Sequence, residues 1–177
     1  MGTLINQPLA LIHSFDRPAV YTLELDLRGL KVLRIPPGID WAMLIACSRG
    51  ILENKAKPSF CEKYREMLDG YDVVMGAIAD DRLFYVLDRF FEGDVTDKGL
   101  IESLSAVQLG EQYVALTEKA CRQIRILERT DLSELETLCI QDVSEENRKK
   151  GIETANEICR IHRREGRFFD EILRDGR

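Results

Sequence analysis

Tyr21, Leu23 and Leu25 alternate with Thr22 and Glu24, and that period of two predicts a half-buried strand. Past a turn at Gly29, Lys31–Ile35 reads as a second short strand, stopped by Pro36, Pro37 and Gly38. Asp40 then caps a helix whose Trp41, Leu44, Ile45, Ser48, Ile51 and Leu52 share one face. Pro58 and Ser59 open another helical stretch that runs through Met67 and closes at Asp69-Gly70. Val73-Val74-Met75 shows no alternation, which predicts a central strand covered on both faces. A break at Gly76 follows, then Asp80 and Asp81 at the start of a strongly amphipathic helix. Its Leu83, Val86, Leu87, Phe90 and Phe91 keep i, i+3, i+4, i+7, i+8 spacing.

Thr96 caps the next helix, with Leu100, Ile101, Leu104 and Val107 inward. Tyr113–Leu116 is a strand, Thr117 starts a short helix, and Ile124–Leu127 is the last strand. From Asp131 onward the pattern predicts helices only. Ser144-Glu145-Glu146-Asn147 reads as a helix start, and Ile152, Ala155, Cys159 and His162 form one stripe. Gly166 interrupts it before an apolar cluster of Phe168, Phe169, Ile172 and Leu173, a tail that folds back on its own domain more readily than it recruits a partner. The class is α+β: a body over residues 1–128 and an α-helical tail over 129–177.

At 177 residues, 45% hydrophobic and 32% charged, the chain is long enough to bury a core. No apolar run approaches the roughly 18 residues of a membrane span, and the N-terminus has no secretory pattern. Cys47, Cys61, Cys121, Cys139 and Cys159 never sit as C-x-x-C, which argues against a disulfide framework or a zinc site. The expectation is a cytoplasmic protein in a reducing compartment. His13 and His162 are too far apart in sequence to suggest a histidine-rich metal site. A net charge of −6 argues against broad nucleic-acid binding, which needs a basic surface.

Chemistry is most concentrated in Tyr71–Phe91, where an apolar strand delivers Asp80 and Asp81, and in Gly110–Ala120, where Glu111 and Gln112 precede a second strand. On the residues Tyr21–Asp26, Leu30–Leu33, Trp41–Arg49, Tyr71–Arg82 and Leu109–Ala120, the chain resembles a bacterial family known as domain of unknown function three-nine-nine-zero. The paired elements Gly76-x-x-Ala79-Asp80-Asp81 and Gln112-Tyr113-Val114-x-x-Thr117-Glu118 carry most of its specificity. The resemblance implies an ADP-ribosyltransferase-like mixed sheet with flanking helices and NAD as the substrate. It further implies a small cognate partner protein in a toxin–antitoxin-like arrangement. Family members usually open with a Tyr-His-Gly-Ser-type strand and a helix, whereas this chain starts almost directly at the later strand. His13-Ser14 lacks the glycine, so that motif is not carried over. The expected fold is therefore an incomplete version, and an exposed sheet edge would favour a homo-oligomer.

In ADP-ribosyl transfer nicotinamide leaves and positive charge develops on the ribose, where a fixed carboxylate beside the 2′-hydroxyl stabilises it. The resemblance puts Gln112 on the strand that carries this group, with Glu111 beside it but on the opposite face. Asp80 and Asp81 are further catalytic candidates; equally, carboxylates in a first helical turn cap free N–H groups. Tyr113 either stacks on a ligand or fills the core. Arg82 and Arg49 either grip a diphosphate or form surface ion pairs. Cys121 reads as a buried helix residue. Two functions follow: an NAD-using ADP-ribosyltransferase-type enzyme, or an inactive relative that works as a protein-binding module.

Overall fold

The computed structural model describes residues 18–53, 55–78, 81–106 and 110–175. Within them the chain is a mixed α+β protein whose residues group into two compact units. The first holds the described residues up to Arg34, Gly70–Ile78 and the run from Gly110 to Lys149. The second holds Ile35–Asp69, the described part of 79–108, and the chain from Lys150.

In the first unit β1 (Ala19–Leu25) pairs antiparallel with β5 (Ile124–Asp131) as a two-stranded ribbon. The register shifts between Thr22 and Leu23, so Leu127 has no residue opposite it. The expected strand forms, but Tyr21 and Leu23 are exposed and no half-buried face results. Separately, β2 (Val32–Arg34) runs parallel to β3 (Val73–Ala77), which runs antiparallel to β4 (Glu111–Ala115). β3 is the central strand and Val73, Val74 and Met75 are buried, as their unbroken apolar run predicts. Gly76 does not break it; it sits inside the strand.

The opposite end of the β3–β4 pair is fixed by Asp72. Its carboxylate accepts the Lys31 backbone N–H at 2.9 Å and the Thr117 hydroxyl at 2.9 Å, with Lys119 Nζ at 3.5 Å. Thr117 in turn accepts the Ala120 N–H at 3.2 Å and so caps α5, whose bounds Glu118–Arg122 follow directly. Cys121 on that helix is exposed, which corrects the buried reading. The helix is only five residues long, and its buried side is taken by Ala120.

The second unit begins with α1 (Ile39–Ser48), in which Trp41, Ala42, Met43, Leu44, Ala46 and Cys47 are all buried. A helix buried on most of its sides replaces the expected single apolar face. Gly38 occupies its N-cap position without a side-chain bond, so Asp40 does not cap; it lies in the first turn, where it complements the helix dipole. α2 (Pro58–Glu66) starts at its proline as expected. Cys47 and Cys61 join α1 to α2 through a disulfide, with 5.3 Å between their Cα atoms. That overturns the expectation of no disulfide, and cysteine usage no longer argues for a reducing compartment. Pairing is decided by which helices pack, and a 14-residue separation carries no local signature of it. A bridge closing a loop of this length is worth on the order of 3 kcal/mol.

α3 (Asp81–Phe91) and α4 (Asp97–Ala106) bury Val86, Leu87, Phe90, Phe91, Leu100 and Leu104, the positions their periodicity predicts. Thr96 caps α4 by accepting the Gly99 N–H at 3.2 Å. One helix, α6 (Glu134–Ile161), runs for 28 residues, about 42 Å at 1.5 Å per residue. It starts not at Ser144 but at a capping box: the Ser133 N–H donates to Glu136 Oε2 at 2.9 Å and the Glu136 N–H to Ser133 Oγ at 3.3 Å. Ser133 has a glutamate three residues on, whereas Ser144 has Asn147 there, so only the first serine can close the box. Gly166, at φ +82°, turns the chain into α7 (Phe169–Asp175). Phe169 is buried edge-on to Phe91, Phe90 and Phe60, at centroid distances of 4.8, 5.6 and 6.4 Å. The tail thus folds back within its own unit. None of the helices among the described residues is long and apolar enough to cross a membrane.

Candidate functional site

β4 enters from Gly110, whose φ of +75° suits a residue without a Cβ, and whose carbonyl accepts the Ile78 N–H at 3.2 Å. That contact closes the C-terminal end of β3 against the start of β4. The register then sets Glu111 opposite Ala77, Gln112 opposite Gly76 and Tyr113 opposite Met75. Side chains alternate between faces, so Gln112 and Val114 share one face with Gly76 and Val74, while Glu111 and Tyr113 share the other with Ala77 and Met75. Gln112 and Tyr113 are half-buried and Glu111 is exposed.

Gly76 is the residue that sequence reading undervalued here. A glycine inside a strand has no side chain to pack and often marks close approach by a ligand or another backbone. Across from Gln112 it leaves that face without a neighbouring side chain at the directly opposed position. Its signal was visible as a lone glycine between Met75 and Ala77, but read as a break it pointed to the strand's end instead of its lining.

The remaining candidates belong to the second unit. Asp81 and Arg82 are in the first turn of α3, which agrees with a helix-start position, and their side chains lie outside the described residues, as does Asp80 altogether. Arg49 is exposed at the C-cap of α1, with its guanidinium 4.5 Å from the centre of the Phe84 ring. Stacking of that kind is worth about 0.5–1 kcal/mol at an exposed position and leaves the in-plane N–H groups free for an anion. The structure therefore brings Glu111, Gln112 and Tyr113 together on β4. Asp81 and Arg82 on α3 and Arg49 at the end of α1 belong to the other unit. Among the described residues no cluster of His, Cys, Asp and Glu is arranged to hold a metal ion.

Asp72 is the carboxylate that the geometry perturbs most plainly near this sheet. The Lys31 N–H, the Thr117 hydroxyl and the Lys119 ammonium hold it below the ordinary range, in that order of the first two over the third. All its partners lie at the other end of β3 from Gln112, so it fixes strands and a helix cap instead of facing the candidate site.

The chain is an α+β protein with a three-stranded mixed sheet and an amide-bearing strand end. It belongs to the family described as Protein of unknown function (DUF3990), whose sequence profile matches residues 12–126. The match begins about eight residues before the resemblance read above and takes in His13 and Ser14, which lie outside the described residues. No curated protein and no solved structure matches the chain.

Proposed function

We propose that the chain is an ADP-ribosyltransferase-type domain that takes NAD, with Gln112 holding a ribose hydroxyl. The observation that carries this reading is the pairing of Gln112 with Gly76 at the end of a buried central strand. An amide both donates to and accepts from a hydroxyl, and the buried Gly76 opposite it adds no side chain of its own. Family membership supports the reading, because the resemblance on which the ADP-ribosyltransferase-like fold was inferred is to the same family. Glu111, on the opposite face, serves as a second carboxylate only for a ligand on that side. Tyr113 shares its face and is the candidate for stacking there. The test is transfer or hydrolysis of labelled NAD by the full chain and by Gln112→Ala. Loss of product release in the variant, with its fold intact by circular dichroism, supports the assignment; equal rates reject it.

A second reading is favoured by one feature of the same strand. Gln112 carries no charge, and the nearest carboxylate in sequence, Glu111, faces away from it. An oxocarbenium-like transition state without a charge-assisted bond loses about 1.5–3 kcal/mol of stabilisation. A relative of the fold that has lost catalysis and contacts a protein partner, such as a small cognate protein of a toxin–antitoxin pair, fits that composition. NAD binding without turnover is the result that would select it.

A further inference from the structure

We propose that the Cys47–Cys61 bridge is a redox latch, and that its reduction by a dithiol loosens the C-terminal helix α7. All the parts involved lie in the second unit. α2 has little to hold it: of its nine residues only Cys61 and Tyr64 are buried, Phe60 is half-buried and the others are exposed. A helix this short is not stable through propensity alone, so its place depends on what ties it down. Two ties run from α2 to the end of α1. One is the bridge itself, and the other is Arg65 Nη2, which donates to the Cys47 carbonyl at 3.1 Å. Both end on Cys47, so the covalent bond and the hydrogen bond hold the same point.

α7 leans on α2 in turn. Among its described side chains only Phe169 is fully buried, while Ile172 and Leu173 are half-buried. Three rings surround Phe169: Phe91 and Phe90 from α3, and Phe60 from α2. Phe60 also packs 5.3 Å from the ring of Tyr64, the second buried residue of α2. A displacement of α2 therefore takes one of the three rings away from Phe169. In this way the bridge, the short helix, Phe60 and the tail form one continuous line of contacts.

The chemistry is thiol–disulfide exchange. Cys61 is 8% exposed and Cys47 1%, so a thiolate of the dithiol attacks Cys61 Sγ. Cys47 leaves with the electron pair of the S–S bond and takes a proton. The second thiol of the dithiol then attacks the mixed disulfide and releases Cys61 as a thiol. The reductant departs as a disulfide, oxidised by the two electrons that the bridge has gained. Reduction removes a cross-link between residues 14 apart in sequence, and local opening of α2 becomes on the order of a hundredfold more frequent, the loop-closure effect of such a bridge. α7 responds less, by about three- to tenfold, the effect of losing one aromatic pair.

Native-state hydrogen exchange of the full chain, with and without dithiothreitol, tests this. On reduction, exchange across 58–66 and 169–175 is expected to rise by those two factors, that across 19–25 and 124–131 to stay the same, and reoxidation to reverse the change. Cys47→Ser with Cys61→Ser is expected to show the reduced pattern whether or not dithiothreitol is present. Phe60→Ala keeps the bridge and removes the connecting ring. Its α7 is expected to exchange fast in both states, while its α2 still responds to the reductant. An α7 in the native chain that ignores reduction overturns the proposal, as does a redox response of α7 that persists in Phe60→Ala. A bridge that dithiothreitol leaves intact overturns it too. So does a rise shared equally by every segment of the unit, which would make the bridge a general stabiliser and not a latch.

Discussion

Gln112 faces Gly76 across the antiparallel β3–β4 pair, so the amide proposed to hold a ribose has no side chain directly opposite it. Gly76→Ala separates two effects that a merely structural glycine would not. Alanine in a strand interior removes backbone freedom from the unfolded chain and is worth about 0.5–1 kcal/mol of added stability where it fits. The same methyl group enters the face that Gln112 occupies and is expected to weaken NAD binding about tenfold, which is 1.4 kcal/mol. Calorimetry and thermal melting on the one variant read both numbers. An unchanged NAD affinity would remove Gly76 from the site.

Gln112→Glu is expected to raise the rate of nicotinamide release roughly ten- to a hundredfold, the worth of one charge-assisted bond in the transition state. The amide and the acid are nearly the same shape, so the change tests charge alone. Product release from labelled NAD under single-turnover conditions gives the ratio. No gain would mean that this strand end does not lie beside the developing charge.

Asp72 makes stability depend on acid. Its folded carboxyl titrates below its ordinary value of 3.8, held there first by the Lys31 N–H and then by the Thr117 hydroxyl. The unfolded chain therefore takes up the proton first as pH falls. The contribution is complete above the unfolded value and is lost as pH drops through the folded one. Asp72→Asn is accordingly expected to melt lower than the native chain at pH 7, with the gap closing as the pH falls below the ordinary carboxylate value of 3.8. A gap that stays constant across that range would show that shape, not charge, gives Asp72 its role.

Phe169 and Gly166 hold the C-terminal end in place. Truncating a phenylalanine buried against three other rings, Phe169→Ala, is expected to cost about 3–5 kcal/mol in urea denaturation. At Gly166 a Cβ would fall 2.2 Å from Asp97 Oδ1 and 3.0 Å from the Lys98 nitrogen, on backbone already at φ +82°. Gly166→Ala is expected to cost at least about 1–2 kcal/mol from the left-handed conformation alone. Trp41, the single tryptophan, is buried in the same unit and reports both transitions by fluorescence.

Elements governed by local chemistry were legible before the structure. α3 and α4 follow their apolar spacing, Thr96 and Thr117 cap where their position predicts, and β3 is central because Val73–Met75 leaves no polar face. Features governed by distant packing were not. The Cys47–Cys61 bridge depends on α1 lying against α2, and the exposure of β1 on its pairing with a strand about a hundred residues away. α6 starts eleven residues before Ser144, because Ser133 finds Glu136 three residues on and closes a capping box that Ser144, with Asn147 there, cannot. Of the candidate site, the pattern puts the strand at Tyr113–Leu116 with Glu111 and Gln112 ahead of it, whereas the strand runs Glu111–Ala115 and carries all three residues. The glycine opposite Gln112 was not legible, since cross-strand register is fixed by the whole sheet.

The most direct measurement is calorimetric titration of the full chain with NAD, beside the variant carrying Gln112→Ala and Glu111→Ala. The account predicts binding between micromolar and low-millimolar NAD that the double variant loses while keeping its circular dichroism. No heat of binding up to about 5 mM, an affinity below about 3 kcal/mol, would contradict it and leave a protein-binding module as the reading of this fold.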